Sequence, residues 1–438
     1  MAQTVFKATL RTLRKRTLYS AINLFGLTLG VLCALCIYAL VSHELRFDDY
    51  HAQAERTYRV GALWPEWDED GPSYQAQTPT GLVPLVREGV PGVDRVAELQ
   101  VSYGSVSVRA ADRYLSQDGL SFVSPDFFDV FDYTVRAGSV ERLVEPNAAV
   151  LTAATAARYY GDGDPIGETI RLGAELELEV VGVVADPPAE THLPFQVFAS
   201  MATRAPAYDE WGFSDGYTLY VVLDDGADAG EVETQLNAIR TAHQTEEQRA
   251  EQQFMLQPLA DIHTTPEFGA YPGSYVTDPV TLWALALIGL LILLSAVVNY
   301  VNLATAQGAA RAKEIGVRKA IGGTRGQIAG QLMGETGLLT LGAVAAGWLA
   351  AVALVPAAGG LFGVEVEASA LLHPGALGFT GLVAVVVSGL AGWYPAVVLS
   401  RYRPTVVLRG SGGGRRSGAI GFRQGLIVFQ FVATLALL

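Results

Sequence analysis

RAKEIGVRKAIGGTRGQ, Arg311–Gln327, carries five cations and one acid and lies between two long apolar stretches. A loop that basic, flanked by membrane-length segments, faces the cytoplasm under the positive-inside rule. It is also patterned. Ala310, Val317 and Ile321 are spaced seven and four apart, so they share one face of a helix. Gly322-Gly323 stops that helix. The reading is a short amphipathic helix held at the membrane surface by the spans on either side, a docking element.

Outward from this run, four stretches reach the roughly 20 apolar residues that cross a bilayer. They are Leu18–Ser42, Thr281–Ala306, Leu332–Ala358 and Ala376–Ser400, and a fifth begins near Gly425. The first is not a cleaved signal peptide, because its apolar core is long and no small-x-small site precedes a polar start. Half of the 438 residues are apolar. That mixture fits spans plus a large aqueous domain rather than an ordinary soluble protein.

Charge divides sharply. Residues 43–279 hold 40 acids and 14 arginines, no lysine, and a net charge of −26. The rest holds 16 cations and 4 acids, a net of +12. The basic segments are the N-terminus (Lys7, Arg11, Arg14, Lys15, Arg16), the 311–327 loop and the stretch after the fourth span (Arg401, Arg403, Arg409, Arg415, Arg416, Arg423). Span counting puts all three on one side, the cytoplasmic one, and the acidic domain outside. The acids are spread over the whole domain. That favours adaptation to high salt over an acidic binding patch. Cys33 and Cys36 lie within the first span and read as small packing residues, so the outer domain is stabilised by its own core.

The expected organisation follows. Residues 1–17 form an interfacial helix, with Phe6, Leu10 and Leu13 as its apolar stripe. Residues 18–42, 280–306, 332–358 and 376–400 are transmembrane helices. Residues 43–279 are a periplasmic α+β core domain, 307–331 a coupling helix and loop, and 359–375 a short periplasmic loop. Residues 401–424 are a basic, Gly-rich cytoplasmic linker, and 425–438 the truncated start of a fifth span. An uncapped half-span cannot satisfy its backbone across a bilayer, so the chain reads as part of something longer.

In the outer domain β-rich runs fall at Val101–Val108, Glu175–Val184 and Tyr217–Leu223, and helical patterns at Thr80–Glu88, Ala153–Tyr160 and Ala229–Gln253. Glycines recur in spans three and four, at Gly334, Gly337, Gly342, Gly347, Gly378, Gly381, Gly389 and Gly392. Small residues let helices approach closely in lipid.

The ordered set of segments resembles the FtsX-like, macrolide-exporter (MacB-like) class of ABC transporter permeases. FKATLRTLRKRTLYSAINLFGLTLGV (Phe6–Val31) and HELRFDDYHAQAERTYRV (His43–Val60) are similar to that class's first span and its exit. SFVSPDFFDVFDY (Ser121–Tyr133), AVLTAATAARYYGDGDPIGETIRL (Ala149–Leu172) and VVGVVADPPAETHLPF (Val180–Phe195) resemble its periplasmic core domain. NYVNLATA (Asn299–Ala306) with RAKEIGVRKAIGGTRGQI (Arg311–Ile328) resembles the second span and coupling helix, and AGWYPAVVLSRYRPTVVLRG (Ala391–Gly410) the end of the fourth span.

The resemblance implies a non-catalytic permease that binds a separate cytoplasmic ATPase. It implies four-span units, paired as a homodimer or as two fused halves; the Gly-rich linker and fifth span fit the first half of the fused form. It implies mechanotransmission, in which ATP-driven closure moves the periplasmic domain for efflux or release, with a periplasmic adaptor as a further possible partner. It places the protein in the bacterial inner membrane with its N-terminus cytoplasmic. A sensor or scaffold regulating a periplasmic enzyme, such as a cell-wall hydrolase, is the alternative. The sequence has no GxxxxGK[ST] phosphate loop, so ATP and Mg are expected on the partner and no cofactor, and no nucleic acid, on this chain.

Docking is assigned to Arg311, Lys313, Glu314, Ile315, Val317, Arg318, Lys319 and Arg325. Glu314 leads, although an i,i+4 ion pair with Arg318 is the plainer reading. Asn299, Asn302 and Glu335 are the polar residues of the spans. The amides are expected to hydrogen-bond between helices, and Glu335 to sit solvated at the cytoplasmic edge. Asp186, His192 and His263 have no metal or hydrolase context and read as isolated turn and surface residues. Trp64, Trp67 and Trp211 read as core packing.

Overall fold

A computed structural model describes residues 17–68, 71–110, 113–173, 176–208, 210–211, 216–243, 252–361, 363–364, 366–400 and 417–436. The expected interfacial helix before residue 17 and the linker from 401 to 416 lie outside them. The chain divides into two units, one formed by Met1–His43 with Val280–Leu438, the other by Glu44–Pro279.

The first unit is helical. Among the described residues four helices are long and apolar enough to cross a membrane: Thr17–Glu44, Pro279–Ala306, Arg325–Leu361 and Pro374–Val398. A further helix runs over Ser417–Ala436. Their shared core includes Leu27, Val31, Leu35, Tyr300, Leu339, Ala343 and Val387, with Cys36 packed against it. Close approach rests on fewer glycines than the periodicity implies. A Cβ on Gly347 would lie 2.9 Å from Val31 Cγ1, and one on Gly392 2.9 Å from Met333 Sδ. One on Gly337, Gly378, Gly381 or Gly389 would meet nothing within 4 Å. Two helices also meet closely at Gly30, whose Cβ would be 2.6 Å from Ala296 Cβ.

The second unit is built on one 13-stranded mixed sheet. Its strands are β1 (Thr57–Asp68), β2 (Gly71–Gln75), β3 (Val93–Val101), β4 (Val106–Ala110), β5 (Arg113–Gln117), β6 (Leu120–Val123) and β7 (Val135–Gly138), followed by β8 (Ala148–Thr152), β9 (Thr169–Leu172), β10 (Leu176–Val184), β11 (Val197–Ser200), β12 (Tyr217–Leu223) and β13 (Gln253–Pro258). The order is β13-β1-β12-β3-β6-β11-β8-β10-β9-β4-β5, with β2 on β1 and β7 on β10. The β6–β11 and β8–β10 pairs are parallel. The run Val101–Val108 is therefore not one strand, since β3 ends at Val101 and β4 begins at Val106. The helix that opens at Ala229 is described as far as His243, residues 244–251 lie outside the described residues, and Gln253 opens β13.

β12 explains the two cores. Every residue of Tyr217–Leu223 is buried, so the strand is covered on both faces. Period two sends Tyr217, Leu219, Val221 and Leu223 to one core and Tyr220 and Val222 to the other. The first core takes the apolar faces of the helices Leu82–Gly89, Ala153–Tyr160 and Ala229–His243. The second is aromatic, around Phe127, Phe131, Phe195 and Phe198. Trp64 is buried in the first core and Trp211 packs against it, stacked on His243 at 4.9 Å; the Trp67 side chain lies outside the described residues.

Candidate functional site

The basic run folds as a helix, Gly308–Ala320, a turn, and the start of the long helix Arg325–Leu361. The turn is built at both ends by local chemistry. Gly322 has φ +102°, a left-handed conformation open to glycine at little cost. Its N–H bonds the Lys319 carbonyl and the Gly323 N–H bonds the Arg318 carbonyl, at 3.1 and 2.9 Å. These are the two bonds of a Schellman stop. Thr324 and Gln327 then exchange hydrogen bonds, each side chain accepting from the other's backbone N–H at 3.3 and 3.0 Å. That is a capping box, which the sequence carries as Thr-x-x-Gln. It starts the next helix at Arg325, so Arg325 belongs to the spanning helix rather than to the coupling helix.

The buried side of the short helix is Ile315, 5% exposed and packed with Ile328 and Leu332. Polar contacts run alongside. Arg318 Nη2 donates to Glu314 Oε1 at 2.7 Å, and Nη1 donates to Gln331 Oε1. Gln331 Nε2 donates to Glu335 Oε1 at 3.1 Å. The i,i+4 pair is thus real, and it continues into the next helix. Glu335 is buried, not solvated, because the helix that carries it starts seven residues earlier than the apolar run suggested. Lys319 Nζ donates to the Ser400 carbonyl, the last residue of the helix Pro374–Ser400. A cation towards the C-terminal part of a helix is favoured by the helix dipole. Desolvation, then the nearby Arg325 charge, pull the Lys319 amine below its ordinary pKa.

The opposite side is open. Glu314 and Arg318 are half-exposed, Val317 is 43% and Ile321 82% exposed. The apolar pattern of Val317 and Ile321 therefore marks the outward face, not the packed one. Two apolar side chains thus stand exposed beside a charge pair, on a helix packed from behind. The side chains of Arg311 and Lys313 lie outside the described residues. Asn299 is half-buried beside Gly26, and Asn302 Oδ1 is buried without a hydrogen-bond partner among the described residues. Tyr300, on the same helix, shares a hydrogen bond with Thr336 of Arg325–Leu361 at 2.9 Å.

The histidines at 192 and 263 are buried rather than on the surface, whereas His243 is exposed. His192 and His263 are 3% and 1% exposed, because each turn they occupy folds over the aromatic core. His192 Nδ1 lies 2.8 Å from Asp48 Oδ2, and its Nε2 is 2.9 Å from Tyr220 Oη. Asp48 also accepts from Thr191 Oγ1 and the His192 backbone N–H. His51 accepts at Nδ1 from the Asp132 N–H and sits 3.9 Å from Asp48. Burial works to raise the Asp48 carboxyl, but the charge and hydrogen bonds of His192, with His51 beside it, hold it below its ordinary value. A second cluster joins Glu44 to His263 Nε2 at 2.7 Å, to Tyr275 Oη at 2.9 Å and to Thr277 Oγ1. His263 Nδ1 faces the Tyr275 carbonyl at 3.1 Å. Both ring nitrogens thus face oxygen atoms. Phe47 stacks on the ring at 3.4 Å. Asp186 accepts from the Ala154 N–H at the start of a helix. Among the described residues no group of three or more His, Cys, Asp or Glu is arranged to hold a metal.

Two family models match the chain. Residues 20–239 match the MacB-like periplasmic core domain and residues 286–404 the FtsX-like permease C-terminal domain. The chain belongs to the FtsX-like, MacB-like family of ABC transporter permeases. The permease is 26% identical over 266 residues to the macrolide export ATP-binding/permease protein MacB of Vibrio parahaemolyticus, a match covering 58% of this chain and 37% of that one. Solved structures similar to it are a domain of a permease protein from Porphyromonas gingivalis and the periplasmic region of MacB from Actinobacillus actinomycetemcomitans. The first is 20% identical with a TM-score of 0.43, over 53% of this chain and 98% of that one. The second is 14% identical with a TM-score of 0.37, over 49% and 94%. The permease is thus a membrane protein whose mixed α+β unit is extracytoplasmic.

Proposed function

We propose that this permease couples ATP hydrolysis by a cytoplasmic partner ATPase, which holds the ATP and Mg, to motion of its Glu44–Pro279 domain, for export or release of a substrate on the periplasmic side. It would lie in the bacterial inner membrane with its N-terminus cytoplasmic, paired with a second permease half or a second copy. The observation that carries this reading is the two-sided helix Gly308–Ala320. Its outward face offers Glu314, Val317, Arg318 and Ile321 to a partner. Its other face packs through Ile315 on the helix Arg325–Leu361 and is joined through Lys319 to Ser400 of the helix Pro374–Ser400, while Arg318 at its edge bonds Gln331 of Arg325–Leu361. A push on the outward face is therefore delivered to two membrane helices at once.

The test is Glu314→Lys in the full chain. The exposed Glu314–Arg318 pair stabilises the helix by only about 0.3–0.5 kcal/mol, so its loss does not unfold the protein. Co-purification of the ATPase and stimulation of its hydrolysis should fall while membrane insertion is unchanged. Unaltered ATPase association and stimulation in this variant would sink the proposal.

A further inference from the structure

Arg59 is the least expected side chain of the outer unit. It is 1% exposed, and no carboxylate among the described residues pairs with it. Its neighbours on the sheet are Gln257 of β13 and Tyr220 of β12. Nε and Nη2 both donate to the same oxygen, Gln257 Oε1, the first at 3.0 Å. A guanidinium has five N–H groups, so three remain without a partner among the described residues. Gln257 Nε2 is also buried without one. The rings of Phe268 and Tyr271 lie 5.3 and 5.8 Å from the guanidinium carbon. They hold the fork in place and stabilise its charge in part, but neither ring accepts the free N–H groups as an oxygen would. A buried charge left without a counter-charge is destabilising by several kcal/mol in general.

The guanidinium is not sealed in. It lines a cavity of about 210 Å³ with Tyr74, Gln75, Gln77, Thr218 and Tyr271. Tyr74, Gln75 and Gln77 are half-buried, and their side chains have no hydrogen-bond partner among the described residues. At roughly 30 Å³ per water the space equals about seven waters, well short of a drug-sized site. Planar, always charged and forked, the arginine matches one carboxylate bidentately.

We propose that this cavity binds a small carboxylate, with Arg59 as its charge partner and Gln75, Gln77 and Tyr74 as its hydrogen-bonding wall. The carboxylate can belong to a free acid of amino-acid size or to the C-terminus of a peptide. Nothing in the coupling helix is needed for this site, so it stands or falls apart from the proposed coupling.

The full chain in nanodiscs at low salt is titrated calorimetrically with acetate, with Ala-Ala-Ala and with Ala-Ala-Ala amide. The free-acid tripeptide or acetate should bind about tenfold or more tightly than the amide, the scale of a charge-assisted hydrogen bond. Acetate binding without tripeptide binding identifies free small acids; binding of both identifies chain termini. Arg59→Met should abolish the preference for the acid. Because that variant could fail to fold, Gln77→Glu is the second arm. It puts a carboxylate into the cavity from the wall, and should block acid binding while raising the unfolding temperature. Equal binding of acid and amide, or unchanged acid binding in Gln77→Glu, overturns the proposal. A carboxylate supplied by the chain itself would also appear as no acid binding, and overturns it equally.

Discussion

Acid should weaken the outer unit through His51, by an amount the structure sets. Burial is the largest influence on this ring and pushes its pKa from 6.5 to about 4; the carboxylates of Asp48 and Asp132 oppose the shift and His192 adds to it. The tautomer agrees with a neutral ring, since Nδ1 is the acceptor of the Asp132 N–H at 3.0 Å. Between about pH 6.5 and 4 the unfolded chain binds a proton that the native ring refuses. The stability is therefore fully present above that window and is lost as pH falls through it. A shift of that size corresponds to roughly 3 kcal/mol.

The matched control is His51→Asn, whose Oδ1 replaces Nδ1 as acceptor but does not titrate. The assay is urea unfolding of the full chain in detergent, followed by tryptophan fluorescence with Trp283, Trp348 and Trp393 replaced by Phe, so that only the outer unit reports. Between pH 7 and 4 the wild type should lose roughly 3 kcal/mol more than His51→Asn, other titrating groups cancelling in the difference. Parallel pH profiles for the two proteins would refute the assignment.

Two further outcomes follow from the same structure. Asp48 has φ +62°, which Asn tolerates, so Asp48→Asn isolates the charge; leaving the His192 side unpaired should cost about 3 kcal/mol by the same urea assay. Gly30→Val forces a carbon into Ala296 and should destabilise the helical unit by about 1–3 kcal/mol, whereas Gly378→Ala, with nothing within 4 Å, should leave its thermal midpoint in detergent unchanged.

Local patterns carried much of this molecule. The spans follow from apolar length, and β12 from a run of residues suited to burial on both faces. The Gly322-Gly323 stop follows from glycine's access to left-handed backbone. Other local signals were present but ambiguous. Val317 and Ile321 share a helix face, yet spacing alone does not say whether that face packs or stays open; Ile315, one apolar residue in a basic run, is the one that packs. Glycine periodicity likewise marks where close approach is permitted, not where a neighbouring helix arrives.

Sequence by itself determined the two-part character of the chain, the family, and the position of the basic helix between spans, because length, charge and period are properties of adjacent residues. Only the tertiary structure decided which buried polar groups meet. Arg59 and Gln257 are 198 positions apart, and Glu44 and His263 219 apart. The first pair is created by the strand order β13-β1-β12, which places 59 beside 257 and 220. The physical reason is that a polar side chain's pattern predicts only its cost when buried. Its partner, and with it any charge or donor left over for a ligand, is set by which strands the fold makes neighbours.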